Sequence, residues 1–176
     1  MLTFLKHYKI NLAIALVMAV AIIIIRGDYA LITIILTLVA AKLTVFFFDL
    51  EFIFYAYFAE PNTTFSTSLR TLFSQKNYVG AISFIEAHGS DAKNPILRSA
   101  LFQILLIVIA AYLVFSKVGP FGVTFAVTLL AQSIYLGWER RHLDWFWNVK
   151  MTLTNNVYYF YFGVISVISV FLLLSI

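Results

Sequence analysis

Five long apolar runs alternate with polar segments along this chain. A helix rises 1.5 Å per residue, so about 20 apolar residues cross the roughly 30 Å hydrocarbon core of a bilayer, and shorter helices fit when flanking side chains reach outward. The pattern therefore predicts an all-α, polytopic integral membrane helical bundle that forms a single transmembrane domain over residues 1–176. The five predicted transmembrane helices cover residues 10–25, 29–58, 96–115, 121–138 and 157–176.

The second run is the longest and carries three charged residues, Lys42, Asp49 and Glu51. As one helix it would measure roughly 45 Å, so it must tilt or extend beyond the hydrocarbon core. Helical periodicity places Lys42 and Asp49 on one face. The opposite face carries a polar stripe made of Thr33, Thr37, Ala40, Thr44 and Glu51. Because an ionised group facing acyl chains costs about 2.5–3.5 kcal/mol at mid-membrane, we expect this helix in the interior of the bundle, with its charges shielded by neighbouring helices.

Residues 60–95 form the one long polar segment of the chain. Apolar residues recur at helical spacing around residues 65–73 and 78–88, which predicts two short amphipathic helices. We expect both helices to lie along the membrane surface or to cap the bundle. The apolar face of the second helix is expected to consist of Val79, Ile82 and Ile85.

The basic residues outside the spans are divided unequally between the two sides of the membrane. If the N-terminus is inside, nine Lys and Arg residues lie on that side and only Arg26 and Lys117 lie on the other. Short cytoplasmic loops of membrane proteins are enriched in Lys and Arg. The count therefore predicts a protein integral to the cell (cytoplasmic) membrane, with its N-terminus and the 60–95 loop in the cytoplasm and its C-terminus outside.

Composition supports the membrane assignment and excludes several kinds of site. With 62% hydrophobic and 11% charged residues, a soluble domain of this size could not bury its apolar surface. The chain has no cysteine, which excludes disulfides, thiolate metal sites and cysteine nucleophiles. No basic block interleaved with aromatic residues suggests nucleic acid as a partner. Three tryptophans lie close together and are expected to anchor the chain at the membrane interface, namely Trp138, Trp145 and Trp147.

Polar residues within the spans are candidates for a polar path or for gating. Ionisable groups inside a membrane often belong to ion paths, proton relays or substrate counter-charges. We favour such a role for Lys42, whereas Asp49 and Glu51 more simply mark where the second helix leaves the membrane. A structural alternative for Lys42 is an ion pair with a carboxylate on another span. Two further candidates, Gln103 and Gln132, are amides on spans three and four. On span four, Thr124, Thr128 and Gln132 recur at i, i+4 and i+8, which predicts a polar stripe along one helix face.

A second cluster, around residues 139–144, combines basic, acidic and imidazole groups. A guanidinium offers a bidentate fork to phosphate, so the cluster is a candidate site for an anion or a lipid headgroup. The same residues are also explained by the ordinary role of basic residues at the cytoplasmic end of a span, which is to set the topology of the chain, and we favour this explanation. Glu139 and His142 have the spacing of half a di-iron motif, but no second pair follows, so we expect no metal site. The anion or headgroup candidates are Arg98, Arg140, Arg141 and His142.

These patterns leave two functional hypotheses open. The first is a non-catalytic channel or transport subunit of an oligomeric membrane assembly that lines or regulates an ion or solute path near the second helix. Its partners would be the lipid bilayer and either further copies or other membrane subunits, and it would have no cofactor and no catalytic residue. The alternative is a membrane-embedded enzyme acting on a phospholipid or lipid-linked substrate at the cytoplasmic interface. Such an enzyme would use Asp49 or Glu51 as acid or base and bind phosphate with Arg140 and Arg141.

Overall fold

The computed structural model describes residues 2–88, 99–140, 144–146, 149–150 and 155–176. Within these ranges the chain is almost entirely helical, with one short antiparallel strand pair. The elements in chain order are α1 (Leu2–Arg26), α2 (Leu31–Phe54), a π-helical turn (Tyr55–Ala59), α3 (Thr64–Ser74), α4 (Tyr78–His88), α5 (Ala100–Phe115), α6 (Pro120–Arg140), β1 (Asp144–Phe146), β2 (Val149–Lys150) and α7 (Asn155–Leu174).

Four of the described helices are long and apolar enough to cross a membrane, and they lie where the sequence predicts spans. Their apolar stretches are Lys9–Arg26, Leu31–Ala59, Pro120–Trp138 and Asn156–Leu174. The fifth candidate, α5, has 16 residues, which correspond to about 24 Å and fall short of the roughly 30 Å core. The predicted start of this span, at residue 96, lies outside the described residues. The helical architecture with four candidate membrane-spanning helices is confirmed, and the fifth span stays a prediction.

Short polar turns set the directions of the helices. Gly27 has a φ of 61°, a left-handed conformation that glycine adopts without steric cost, and it reverses the chain between α1 and α2. The two helices pack through a cluster of Ala15, Ala19, Ala41 and Val45. Small side chains of this kind allow membrane helices to approach closely. The first two spans therefore form an antiparallel hairpin.

Local side-chain caps begin two later helices. The Thr63 hydroxyl accepts a hydrogen bond from the Ser66 N–H at the start of α3, and the Ser99 hydroxyl accepts one from the Phe102 N–H at the start of α5. Such caps satisfy backbone donors that the first helical turn leaves without partners. The α5 cap places the beginning of that helix at a buried serine.

The central helix of the bundle is α6, not α2. α6 packs against α1, α2, α5 and α7, and 56% of its apolar stretch is buried, compared with 22–39% in the other three long helices. The expectation that the second helix occupies the interior was therefore wrong. The physical reason is polarity, because α6 is the least hydrophobic of the four helices. Placing α6 in the interior therefore loses the least contact between apolar side chains and acyl chains, and it shields the most polar groups from lipid.

Helices α3 and α4 pack around the end of α2 and the π-helical turn. Phe65 and Leu69 of α3 and Ala81 and Ile85 of α4 join a buried cluster with Phe52 and neighbouring residues of the turn. Val79, expected on the apolar face of α4, is instead 76% exposed, because Ala81 and Ile85 form the buried face. The position of these helices on the cytoplasmic surface stays a prediction.

Candidate functional site

The polar stripes predicted on the second and fourth spans are both buried. On α2, Thr37, Ala40 and Thr44 have no exposed surface. On α6, Thr124, Thr128 and Gln132 are equally inaccessible. α2 makes its most extensive packing contacts with α6. Since residues three to four apart share a helix face, the two helices pack with polar residues in their buried faces.

One hydrogen bond and one shared cleft set the relative direction of these helices. The Gln132 side-chain amide donates to the backbone carbonyl of Asn11, with an N···O distance of 3.0 Å. Asn11 lies about 22 Å from the Arg26 end of α1, and Gln132 lies about 18 Å from the Pro120 end of α6. At the other end of the bundle, Arg26 of α1 and Val123 of α6 line the same cleft. The two contacts together make α6 antiparallel to α1 and therefore parallel to α2.

Five buried polar side chains from α1, α2 and α6 together form what we call the polar seam. Each has a buried oxygen that finds no hydrogen-bond partner among the described residues. An oxygen of this kind, buried in a bundle that lipid surrounds, is costly unless water or an ion satisfies it. The members of the polar seam are Asn11, Thr37, Thr124, Thr128 and Gln132.

The two glutamines predicted as path candidates occupy different positions. Gln103 is fully buried between α5, α6 and α7, where its amide nitrogen donates to the Ser133 carbonyl at 3.0 Å and its carbonyl oxygen accepts from the Tyr161 hydroxyl at 3.0 Å. Both ends of this side chain are used to join helices. Gln132 uses only its nitrogen, which leaves its oxygen in the polar seam.

The charged candidates of α2 are separated by the structure. Glu51 is 5% exposed and continues the polar stripe toward the α3–α4 cap. Asp49 lies in α2, but its side chain is outside the described residues. Lys42 is exposed, so the expectation that it points into the bundle was wrong. The preceding residues Ala40 and Ala41 are buried, and a further rotation of about 100° per residue carries Lys42 to the outer surface.

The anion-binding candidates fall largely beyond the described structure. Arg98, Arg141 and His142 lie outside the described residues, and Arg140 ends α6 with a side chain that is also outside them. The enzyme hypothesis used Asp49 or Glu51 as acid or base and Arg140 and Arg141 to bind phosphate, and it stays a prediction. Of the expected interfacial anchors, Trp138 is 48% exposed and its ring packs against Tyr158. The side chain of Trp145 and all of Trp147 lie outside the described part of the chain.

A basic cleft of about 370 Å³ was not anticipated. Arg26, Lys117 and Ser175 are among its lining residues, so the C-terminal ends of α1, α5 and α7 meet there. Lys117 has a φ of 51°, which only a small fraction of non-glycine residues adopt. The only sequence signal for this cleft was the isolation of Arg26 and Lys117 on one side of the charge count.

The carboxylate of Asp28 holds the beginning of α2. It accepts hydrogen bonds from the Ala30 N–H at 3.1 Å and from the Thr33 hydroxyl at 2.8 Å. The Ala30 bond contributes most, and together these bonds lower the pKa of Asp28 from its usual value of 3.8. Hydrogen bonds to a carboxylate stabilise its charged form.

We expect Asp28→Ala to lower the thermal unfolding temperature of the purified protein at pH 6. A carboxylate whose folded-state pKa is lowered stabilises the fold above its unfolded pKa, and this stabilisation is lost as the pH falls through the folded pKa. The difference from the wild type should therefore shrink below pH 3.8. Asp28→Asn keeps an acceptor and serves as the control; an equal loss in both variants at every pH would contradict the hydrogen-bonding role.

Comparison with known proteins identifies no family for this chain. No protein-family model, curated protein or solved structure matches the chain.

Proposed function

We propose that this chain is a non-catalytic subunit of an oligomeric membrane assembly, and that its polar seam lines or regulates a path for a small ion or solute. The observation that carries this proposal is the set of buried oxygens along α6 and the facing side of α2 that have no hydrogen-bond partner among the described residues. A helix bundle in lipid ordinarily satisfies its polar groups internally. Oxygens left over at its centre support contact with water or a permeating species.

The chemistry of the polar seam favours small, weakly charged or monovalent species. Its oxygens belong to hydroxyl and amide groups, which can replace part of the hydration shell of a monovalent cation. Divalent cations are usually held with carboxylates as well. Among the described residues, the polar face of α2 reaches a carboxylate only at Glu51, which is buried near the end of the helix.

The length of the polar stripe also fits a path across the membrane. On α2 the stripe extends from Thr33 to Glu51, and both of these end residues are buried. At 1.5 Å per residue this separation is about 27 Å, close to the roughly 30 Å hydrocarbon core. A path along this face would therefore connect the two membrane surfaces.

The proposal includes five spans in the cell membrane, with the N-terminus and the 60–95 loop in the cytoplasm. In this arrangement α5 is a short span. Local thinning of the bilayer, or flanking side chains that extend to the headgroups, accommodate its length. The charge count supports the orientation. The shared cleft of Arg26 and Lys117 agrees with it, because the two basic residues assigned to the outer side lie at one end of the bundle.

Cysteine scanning tests the polar seam directly, because the chain has no native cysteine. Thr128→Cys and Gln132→Cys are introduced separately and treated in intact membranes with a charged, membrane-impermeant thiol reagent. Only the thiolate reacts, and burial in apolar surroundings suppresses it. We expect both thiols to react at least about tenfold faster than a thiol in a dry position of the same helix.

Val127→Cys is the matched control, since Val127 is also fully buried on α6 but belongs to the apolar core. The polar-path proposal is overturned if Thr128→Cys and Gln132→Cys react as slowly as this control. Flux of protons and alkali cations into liposomes that contain the purified variants then identifies the permeating species.

A further inference from the structure

Lys42 lies near mid-membrane depth on the outside of the bundle. It directly follows Ala41, which packs with Ala15 and Ala19 of α1. These alanines are within about 10 Å of the centre of the Lys9–Arg26 stretch. Lys42 itself is exposed and has no hydrogen bond or ion pair with the residues that the structure describes.

A lysine at this depth is poorly accommodated by lipid alone. Its four-carbon stem is much shorter than the roughly 15 Å from the bilayer centre to the headgroups, so the ammonium group does not reach water by extending along the helix. Charged groups within membranes usually pair with one another or with backbone carbonyls. The described residues of the chain provide no such group to Lys42, which leaves this position open to a carboxylate of another molecule.

The surface around Lys42 is suited to another transmembrane helix. Exposed apolar side chains lie one to two turns before it and one turn after it on the same side of α2. We call this surface the Lys42 face, and it consists of Ile35, Leu38, Val39, Lys42 and Phe46. It combines a strip of apolar contact area with a single central cation, which a helix with one carboxylate would complement.

We propose that the Lys42 face binds a transmembrane helix of another protein, and that an aspartate or glutamate of this helix, at mid-membrane depth, pairs with Lys42. A second copy fits this surface less well. Asp28 and Glu60 of a parallel copy would lie beyond the ends of α2. Asp49 of such a copy would lie about 10 Å from the depth of Lys42 along the helix. Because helical side chains lean toward the N-terminus, the Lys42 side chain extends away from the depth of Asp49. This inference rests on the proposed membrane subunit but not on the polar seam as a path.

The test uses synthetic polyleucine transmembrane peptides in phosphatidylcholine liposomes with the purified full-length protein. One peptide carries a central aspartate, a second carries the aspartate two turns from the centre, and a third has leucine throughout. Resonance energy transfer measures their association with the protein. We expect the central-aspartate peptide to bind at least about tenfold more tightly than the other two.

Two variants and a control decide whether Lys42 is responsible. Lys42→Leu should abolish the preference for the central aspartate, and Lys42→Glu should transfer the preference to a peptide with a central lysine. Lys117→Ala, at an exposed lysine near a helix end, should leave the preference unchanged.

The inference is overturned if the aspartate peptide binds no better than the leucine peptide, or if Lys42→Leu binds it as well as the wild type. Self-association of the protein that depends on Lys42 would also overturn it, because the surface would then belong to a second copy. Thiol labelling of the polar seam is measured without these peptides. A failure of the polar-path proposal is therefore distinguished from a failure of the Lys42 proposal.

Discussion

Replacing Gly137 with leucine should destabilise the folded protein by about 3 kcal/mol. Gly137 lies on α6 where α7 crosses it, and an added Cβ would come within 2.8 Å of the Phe162 ring and 3.1 Å of the Gln103 amide nitrogen. Phe162 is 1% exposed and belongs to a buried cluster with Ala100 and Tyr158, so a movement of its ring would disturb other buried side chains. Overpacking of this kind costs typically 1–3 kcal/mol and occasionally more. Thermal unfolding in detergent, or unfolding by steric trapping in bicelles, measures the change.

Gly163→Leu is the matched control for this substitution. Gly163 also lies within a helix, α7, but it is exposed and a Cβ there meets nothing within 4 Å. Leucine has a higher helix propensity than glycine, so this variant should be stabilised by about 0.5–1 kcal/mol. Equal effects of the two substitutions would contradict the packing that the structure shows between α6 and α7.

Gln103→Leu should destabilise the protein by about 1–3 kcal/mol. The substitution keeps the volume of the side chain but removes two hydrogen bonds between helices, one to the Ser133 carbonyl and one from the Tyr161 hydroxyl. Interhelical hydrogen bonds in membranes contribute about 0.6 kcal/mol on average and up to about 1.7. The same unfolding measurement applies, and the expected loss is larger than for removal of a single bond.

A double-mutant cycle with Tyr161→Phe separates the hydrogen bond from other effects. Gln103→Leu leaves the Tyr161 hydroxyl without its closer acceptor, and among the described residues the Ala100 carbonyl at 3.4 Å remains. Removing both partners of a buried hydrogen bond costs less than the sum of the single removals. We therefore expect the double variant to be more stable than additivity predicts by at least about 0.5 kcal/mol. Strict additivity would show that the two side chains are not coupled.

The polar seam and the Lys42 face lie on opposite sides of α2. Thr37 and Thr44 are buried on the side that packs against α6, whereas Lys42 is exposed on the other. One helix would therefore contact the proposed path on one face and the proposed partner on the other.

Much of the local structure could be predicted from residue patterns. Apolar runs whose helical length is close to or greater than the thickness of the hydrocarbon core are typical of membrane-spanning helices, so the long helices follow from length and composition. The turn at Gly27 follows from backbone chemistry and the short polar break. The stripes of Thr33 to Glu51 and of Thr124 to Gln132 follow from helical periodicity, and both are buried as their polarity requires.

The tertiary structure alone decided which helix is central and which face of α2 meets the other helices. Periodicity relates the side chains of one helix to each other, but it contains no information about the rotation of that helix against its neighbours. That rotation depends on close contacts between distant parts of the chain, such as the alanines of α1 and α2 and the hydrogen bond from Gln132 to Asn11. Lys42 was therefore expected inside and is found outside. The bundle buries the threonine face of α2 against the less hydrophobic α6, which leaves its single cation at the surface.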